Sequence, residues 1–489
     1  MGKRKFITRP DGQGRLGIRA AGWVIRVMDA HEFLGIGGSF TMKMDWKAAM
    51  LAAAMMVGGS TVASAQEAGI FDASQVSYNA IASDCGCATD VACGCDAAPT
   101  CGSTCGCYSD SCCGGMDWFG CCEHGDAWTL FGENDCGVTI GGWISGGYYG
   151  NFRGVNTNNG NAPVAFRQIS NAATLNQAWL YAEKAADAET YCFDLGYRVD
   201  AVFGADGPDT QAFGYGNRNR WDNDWDSATT ADGEQLYGTA IPQAYLTAAW
   251  GDWEVKVGHF YTIIGYEVVQ APSNFFTSYA YTMNYGEPFT HGGILATYSG
   301  IEDTTLWGGY VQGWDTAFDN WEGQATFLGG ISRDLSDSTT FTWAVNAGDW
   351  GKTNGGNIYM NSFVLTHDLG CGYSYVFQHD LGVQTNIPGE AAYWYGVNQY
   401  FFKEINDCWS AGIRAEWFCD EDGARVGNGP GSYYATTIGL NWKPNANVIV
   451  RPEVRLEKFD GIYGNGGTPY AEGTHDDCVF YGFDAIFTF

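Results

Sequence analysis

Arg451, Glu453, Arg455 and Glu457 stand at every second position of one stretch, with Val450, Val454 and Leu456 interleaved. The same spacing recurs in Arg414 with Glu416 and in Arg198 with Asp200. Residues two apart on an extended chain share a face, so each pair sets a guanidinium beside a carboxylate. Two kinds of chemistry fit such a face. Opposed charges can set a transverse field across water, or they can close into a salt-bridge lattice that satisfies an interior; the sequence leaves both open. Sets for turnover are harder to assemble. His124, His259, His291, His367, His379 and His475 are scattered, with no His-Glu-x-x-His pair and no Gly-x-Ser-x-Gly elbow. Patterns such as Gly214-Tyr-Gly216 carry no weight in a chain with 69 glycines. An enzyme would need a Ser and a His meeting at one rim, and this is the third-ranked expectation. No cofactor is expected, although the Asp222-Asn-Asp-Trp-Asp226 stretch is a candidate for structural Ca²⁺.

The elements that must hold these charges are strands. Phe193, Leu195, Tyr197, Val199 and Ala201 alternate with Asp194, Gly196, Arg198 and Asp200, the period-two pattern of a strand with one dry and one wet face. Residues 243–250 and 253–260 repeat it, and the Gly251-Asp252 link between them suits a tight hairpin. Sixteen runs are expected, starting near residues 138, 175, 193, 243, 253, 292, 304, 325, 338, 358, 371, 391, 408, 433, 448 and 479. Long connections rich in Asn, Asp and Gly alternate with short turns. An up-and-down transmembrane barrel predicts that alternation, and a soluble sandwich gives no reason for it. The fold class is therefore all-β: an antiparallel up-and-down barrel of about 16 strands (14–18) spanning residues 136–489. No window of about 18 apolar residues exists, which excludes a helical membrane protein.

An Arg facing lipid at mid-bilayer costs about 2–4 kcal/mol, so the eight alternating charges belong inside and are the pore-lining candidates. Pro452 among them predicts a bulge. The long connection 261–291 holds Ile263, Ile264, Phe275, Phe276 and Phe289, too apolar for a loop in water. It is expected to fold against the inner wall as a constriction, with Glu267, Asn274, Phe275, Phe276, Tyr285, Glu287 and His291 as its candidates. Tyr481, Phe483, Phe487 and Phe489 share one side of the last run, which fits an interfacial aromatic girdle.

The run Val255-Lys-Val-Gly-His-Phe-Tyr, followed by Ile264-Gly-Tyr-Glu, Asn274-Phe-Phe and Tyr285-Gly-Glu-Pro-Phe-Thr-His291, resembles the bacterial outer-membrane beta-barrel porins of type 2, the OmpL-like family. A second anchor is Asn441-Trp-Lys-Pro-Asn445 with Arg451-Pro-Glu-Val-Arg455, and the likeness spans about residues 137–489. It implies a fold and a class of transport, without a defined solute.

Upstream lie three further pieces. Two lysines, an apolar run and Ala63-Ser-Ala65 make residues 42–65 a cleavable signal peptide. Residues 1–41 precede it and are read as an over-called translation start, with a long targeting region as the alternative. Residues 66–135 hold eleven of the 17 cysteines between Cys85 and Cys122. In an exported chain disulfides are the default; one His and no repeated Cys-x2-Cys spacing argue against zinc. The odd count suggests a disulfide link to another envelope protein. Cys136, Cys192, Cys371 and Cys408 are expected at the periplasmic rim and Cys419 and Cys478 at the outer one, as disulfide candidates within each rim.

Nine of 25 basic and four of 55 acidic residues lie in residues 1–65, so the mature chain has 16 and 51 and a net charge of −35. Such a surface excludes nucleic acid as a partner. The expected function is passive diffusion of small hydrophilic solutes and ions across the outer membrane, with a moderate cation preference from the acidic loops. The partners are lipid, solute and two further copies in a homotrimer. The alternative is a structural envelope protein, its barrel plugged and its cysteine segment cross-linked.

Overall fold

The alternating runs become a closed barrel in the computed structural model, which describes residues 124–131 and 137–489 apart from 154–159, 213–221, 223–235, 321, 352–354, 388–389, 428, 465–466 and 472. The strands are β1 (Thr139–Asn151), β2 (Ala172–Lys184), β3 (Asp194–Gly204), β4 (Gly238–Trp250), β5 (Trp253–Tyr261), β6 (Thr290–Ile301), β7 (Thr304–Val311) and β8 (Ala325–Ser336). They continue as β9 (Thr339–Asp349), β10 (Asn357–Gly370), β11 (Tyr373–Ile387), β12 (Glu390–Asn406), β13 (Trp409–Asp420), β14 (Gly431–Asn445), β15 (Val448–Gly461) and β16 (Asp477–Thr488). Each pairs antiparallel with its neighbours in the chain, and β1 closes on β16. At that seam Gly142 and Phe489 exchange both backbone hydrogen bonds at 2.9 Å. Closure removes the edges that would otherwise recruit another chain.

One register fixes every facing. In β15 Arg451, Glu453, Arg455 and Glu457 are buried, whereas Val454 and Leu456 are exposed. The outward set includes Leu246 at 66%, Leu195 at 57%, Ile438 at 53% and Phe327 at 52% exposure. So wide an apolar band is tolerable only against lipid.

Three local expectations change. Pro452 makes no bulge: Gly439↔Glu453 and Trp442↔Val450 keep one register across it, and it pairs with Phe483 on the other side. A missing N–H on an outward residue interrupts bonding without shifting the strand. The turn between β10 and β11 is Cys371-Gly372, with φ of 54° and 72°, two residues beyond the Leu369-Gly370 link read from the sequence. β4 starts at Gly238 rather than near residue 243, because its Pro242 lies where the β3–β4 register shifts and the chain stays extended through it.

The disulfide candidates also need correction. No bridge joins any two of Cys192, Cys371, Cys419 and Cys478. Cys192 and Cys371 lie in connections at the short-turn end, Cys419 and Cys478 near the opposite strand ends. Cys408 is buried in the β12–β13 turn with its sulfur 3.3 Å from Nε2 of His124. Cys136, residues 1–123 with the proposed signal peptide and most of the cysteine-rich segment, and Asp224 and Asp226 of the Ca²⁺ candidate lie outside the described residues. Asp222 is described: it is buried and its Oδ2 accepts from the amide of Ile241 at 3.1 Å.

Candidate functional site: a loop folded into the lumen

Residues 262–289, between β5 and β6, turn into the barrel, and not one of them is exposed. Two short helical turns, Ala271–Ser273 and Thr282–Gly286, give the segment its shape. Asn274 fixes the first from within, its Oδ1 accepting from the Val268 amide at 3.0 Å and its Nδ2 donating to the carbonyls of Val268 and Gln270.

The arginines of the wall hold this loop. Arg451 grips Asp484 of β16 with Nε and Nη2 at 2.8 and 2.6 Å, while its Nη1 donates to the loop carbonyls of Ala271 and Asn274 at 2.7 and 2.6 Å. Arg414 joins Glu416 at 2.7 Å to Glu267 of the loop at 2.6 Å, donates to Ser278, and lies 4.9 Å over the ring of Phe276. Arg455 bridges Glu457 and Glu416 at 2.5 and 2.7 Å. The acids bind the loop as well. Glu453 accepts the amides of Thr277 and Ser278, Glu416 that of Tyr281, and Glu457 the hydroxyl of Tyr281.

Strand register explains the bridging. Arg414, Thr437 and Arg455 form one row across β13, β14 and β15, and Glu416, Ala435 and Glu457 form the next. Small residues on β14 leave room for Arg455 to reach Glu416. Of the two readings of these charges, the closed lattice describes their geometry: all eight pore-lining candidates point inward and are 0–4% exposed. Arg198 and Asp200 belong to a second set with Glu183 and Trp179 on β2 and β3.

The remaining loop candidates are brought to the same wall. Phe275 and Phe276 pack on Phe402 and Tyr400. Tyr285 donates to the carbonyl of Pro163 at 2.6 Å. His291, the second residue of β6, braces the loop base between the Gly313 carbonyl and Thr262 Oγ1 at 2.7 and 3.0 Å. Glu287 accepts from Gln378 Nε2 at 2.5 Å, and burial, reinforced by the Asp380 carboxylate, holds its carboxyl well above the usual range. Burial likewise raises Glu267, against the pull of Arg414.

Several anchors escaped the sequence reading. Gln177 of β2 donates to Val269 and accepts from Ala271, and Arg167 pairs with Asp206 at 2.7 Å beneath Thr277. Asp484 was legible, since it is the inward residue beside outward Phe483. Gln177 and Arg167 carry no signal, because isolated polar residues do not announce a partner a hundred positions away.

The loop therefore lines the wall from β2 through β1 and β16 to β11. Opposite it, towards the short-turn end, Lys256, Thr297, Thr305, Thr340, Thr342 and Thr366 are half-buried inward residues. Towards the long-loop end Leu295, Val311, Leu328, Ala344 and Met360 are 0–4% exposed, covered with Trp314 and Trp394 in one apolar cluster. On this side the inward face is polar towards the short-turn end and apolar towards the long-loop end.

Residues 137–489, the whole barrel, match the family described as beta-barrel porin-2, OmpL-like. The chain belongs to that family. Among solved structures, this OmpL-like porin is similar to the outer membrane channel DcaP of Acinetobacter baumannii, with 12% identity, a TM-score of 0.49, and 74% of this chain and 100% of that one covered. It is also similar to an anion-selective porin from Comamonas acidovorans (10%, 0.48, 72% and 99%) and to Salmonella typhi OmpF in complex with daunomycin (10%, 0.49, 72% and 97%). No curated protein matches the sequence. The OmpL-like porin is a passive channel of the outer membrane.

Proposed function

We propose that this porin passes small hydrophilic solutes and ions along a path between residues 262–289 and the inner faces of β5 to β10, with a moderate preference for cations. The observation that carries the reading is the loop itself, held against the inner wall by three buried arginines. The net charge of −30 supports the cation preference, since acidic loops concentrate counter-ions at a mouth. Neither turnover nor a resident cofactor is part of this reading; the Ca²⁺ candidate around Asp222 stays an optional structural site. The test is the zero-current potential of refolded protein in planar bilayers under a KCl gradient. A sign favouring K⁺ is expected, and one favouring Cl⁻ contradicts the preference.

A second reading, a structural envelope protein with a plugged barrel, is favoured by the covered apolar cluster at the long-loop end. Absence of conductance in the same bilayers would select it. Under either reading we infer a cleaved signal peptide ending at Ala65, a homotrimer, and disulfides within the cysteine-rich segment. Cys408 is the proposed barrel-side attachment point of that segment, supported by its contact with His124, two residues after Cys122. Peptide mapping without reduction tests this, and a free Cys408 would refute it.

A further inference from the structure

Arg167 and the buried arginines of the wall are each matched to a carboxylate at 2.5–2.7 Å. Arg425, in the connection between β13 and β14, is not. Its guanidinium carbon lies 4.7 Å from the ring centre of Trp314 and 4.9 Å from that of Trp394, in the notch formed by two perpendicular indoles. Its Nε donates to the Tyr285 carbonyl at 2.6 Å. Arg425 is half-buried, and among the described residues neither of its terminal nitrogens has a hydrogen-bond partner.

The nearest acids, Asp420 and Asp315, draw on its charge without a hydrogen bond to the guanidinium. Asp420 accepts the backbone amides of Ala424, Arg425 and Val426 at 2.8–2.9 Å, and Asp315 accepts those of Phe289 and Thr290 at 2.8 and 2.9 Å. The indoles are also fixed, Trp314 by Asn346 and Trp394 by the Gly286 carbonyl. So the cation is held rigid on its faces and one edge, while the fork that recognises planar oxyanions is left open. Burial depresses its pKa to about 10, which leaves it charged at neutral pH.

We propose that Arg425 is a solute subsite at the long-loop mouth of the barrel, taking one oxyanion, a carboxylate or a phosphate, on the free edge of its guanidinium. The assignment rests on the channel reading for its purpose, but binding is measurable without current. Stacking removes rotamer freedom before the anion arrives, so little ordering remains to be done on binding.

Ligand-observed NMR on the refolded, detergent-solubilised chain at low ionic strength provides the test, with succinate followed by proton signals and inorganic phosphate by phosphorus signals. Saturable broadening by either, with Kd on the order of 1 mM, supports the site; broadening by neither overturns it. Arg425→Gln should weaken binding at least tenfold, and Arg425→Lys should also weaken it, because the charge survives but the fork is lost. Arg153→Gln, at an exposed pair with Asp477, should bind as the parent does. Unchanged binding in folded Arg425→Lys would refute recognition by the fork. A barrel that conducts without binding sinks this inference alone; one that binds without conducting sinks the channel reading alone.

Discussion

Arg451 is covered on every side, with its two bonds to Asp484 and two to loop carbonyls. Replacing it by Met would leave Asp484 a buried charge without its partner, and breaking such a pair costs about 3–5 kcal/mol. Arg451→Met should therefore unfold at lower temperature in detergent, whereas Lys458→Met, at an exposed pair with Asp476, should change little. Glu287 gives a pH signature. Its carboxyl, raised from the ordinary 4.5 by burial, holds its proton more tightly in the folded state. Stability is thus unaffected below pH 4.5 and falls as pH rises through and above that value. Glu287→Gln should raise the melting temperature at pH 8 and match the parent at pH 4; a gain that persists in acid would contradict this. Which charges face inward was legible, because a period of two assigns every second residue to one face. What covers them was not, since alternation says nothing of the far side of the lumen. Arg425 sits in a loop without periodicity and could only be found in three dimensions.

Among the elements, the strands were the legible part. Fifteen of the sixteen expected starts fall within three residues of the observed ones, and β4 is the exception because glycine and proline at its head imitate a loop. The β5–β6 connection was recognised by its apolar residues, which had to be buried somewhere. Its fit is close. Gly382 of β11 faces Trp394 so nearly that an added Cβ would meet Cε2 of the indole at 1.9 Å. The ring cannot yield freely, being bonded to Gly286 and packed on Arg425. Gly382→Ala should cost about 1–3 kcal/mol by overpacking and shift indole fluorescence. An unaltered melting temperature would show the loop to be less tightly seated than described.

At the scale of the whole molecule, the cylinder divides its residues by solvent. The outward side chains are aliphatic and aromatic, the inward ones charged or amide groups apart from the apolar clusters, and the interior is filled on one side by a segment of its own chain. Closure was foreseeable from an even number of alternating runs with long and short links; how much water the interior retains was not, because it depends on the packing of loops far apart in sequence. That question is the central one. The most direct measurement compares single-channel conductance in planar bilayers for the refolded chain and for a form lacking residues 270–285. Discrete steps of small conductance are predicted for the former and clearly larger steps for the latter. Equal conductances would contradict the account of residues 262–289 as the constriction, and silence from both would contradict the channel itself.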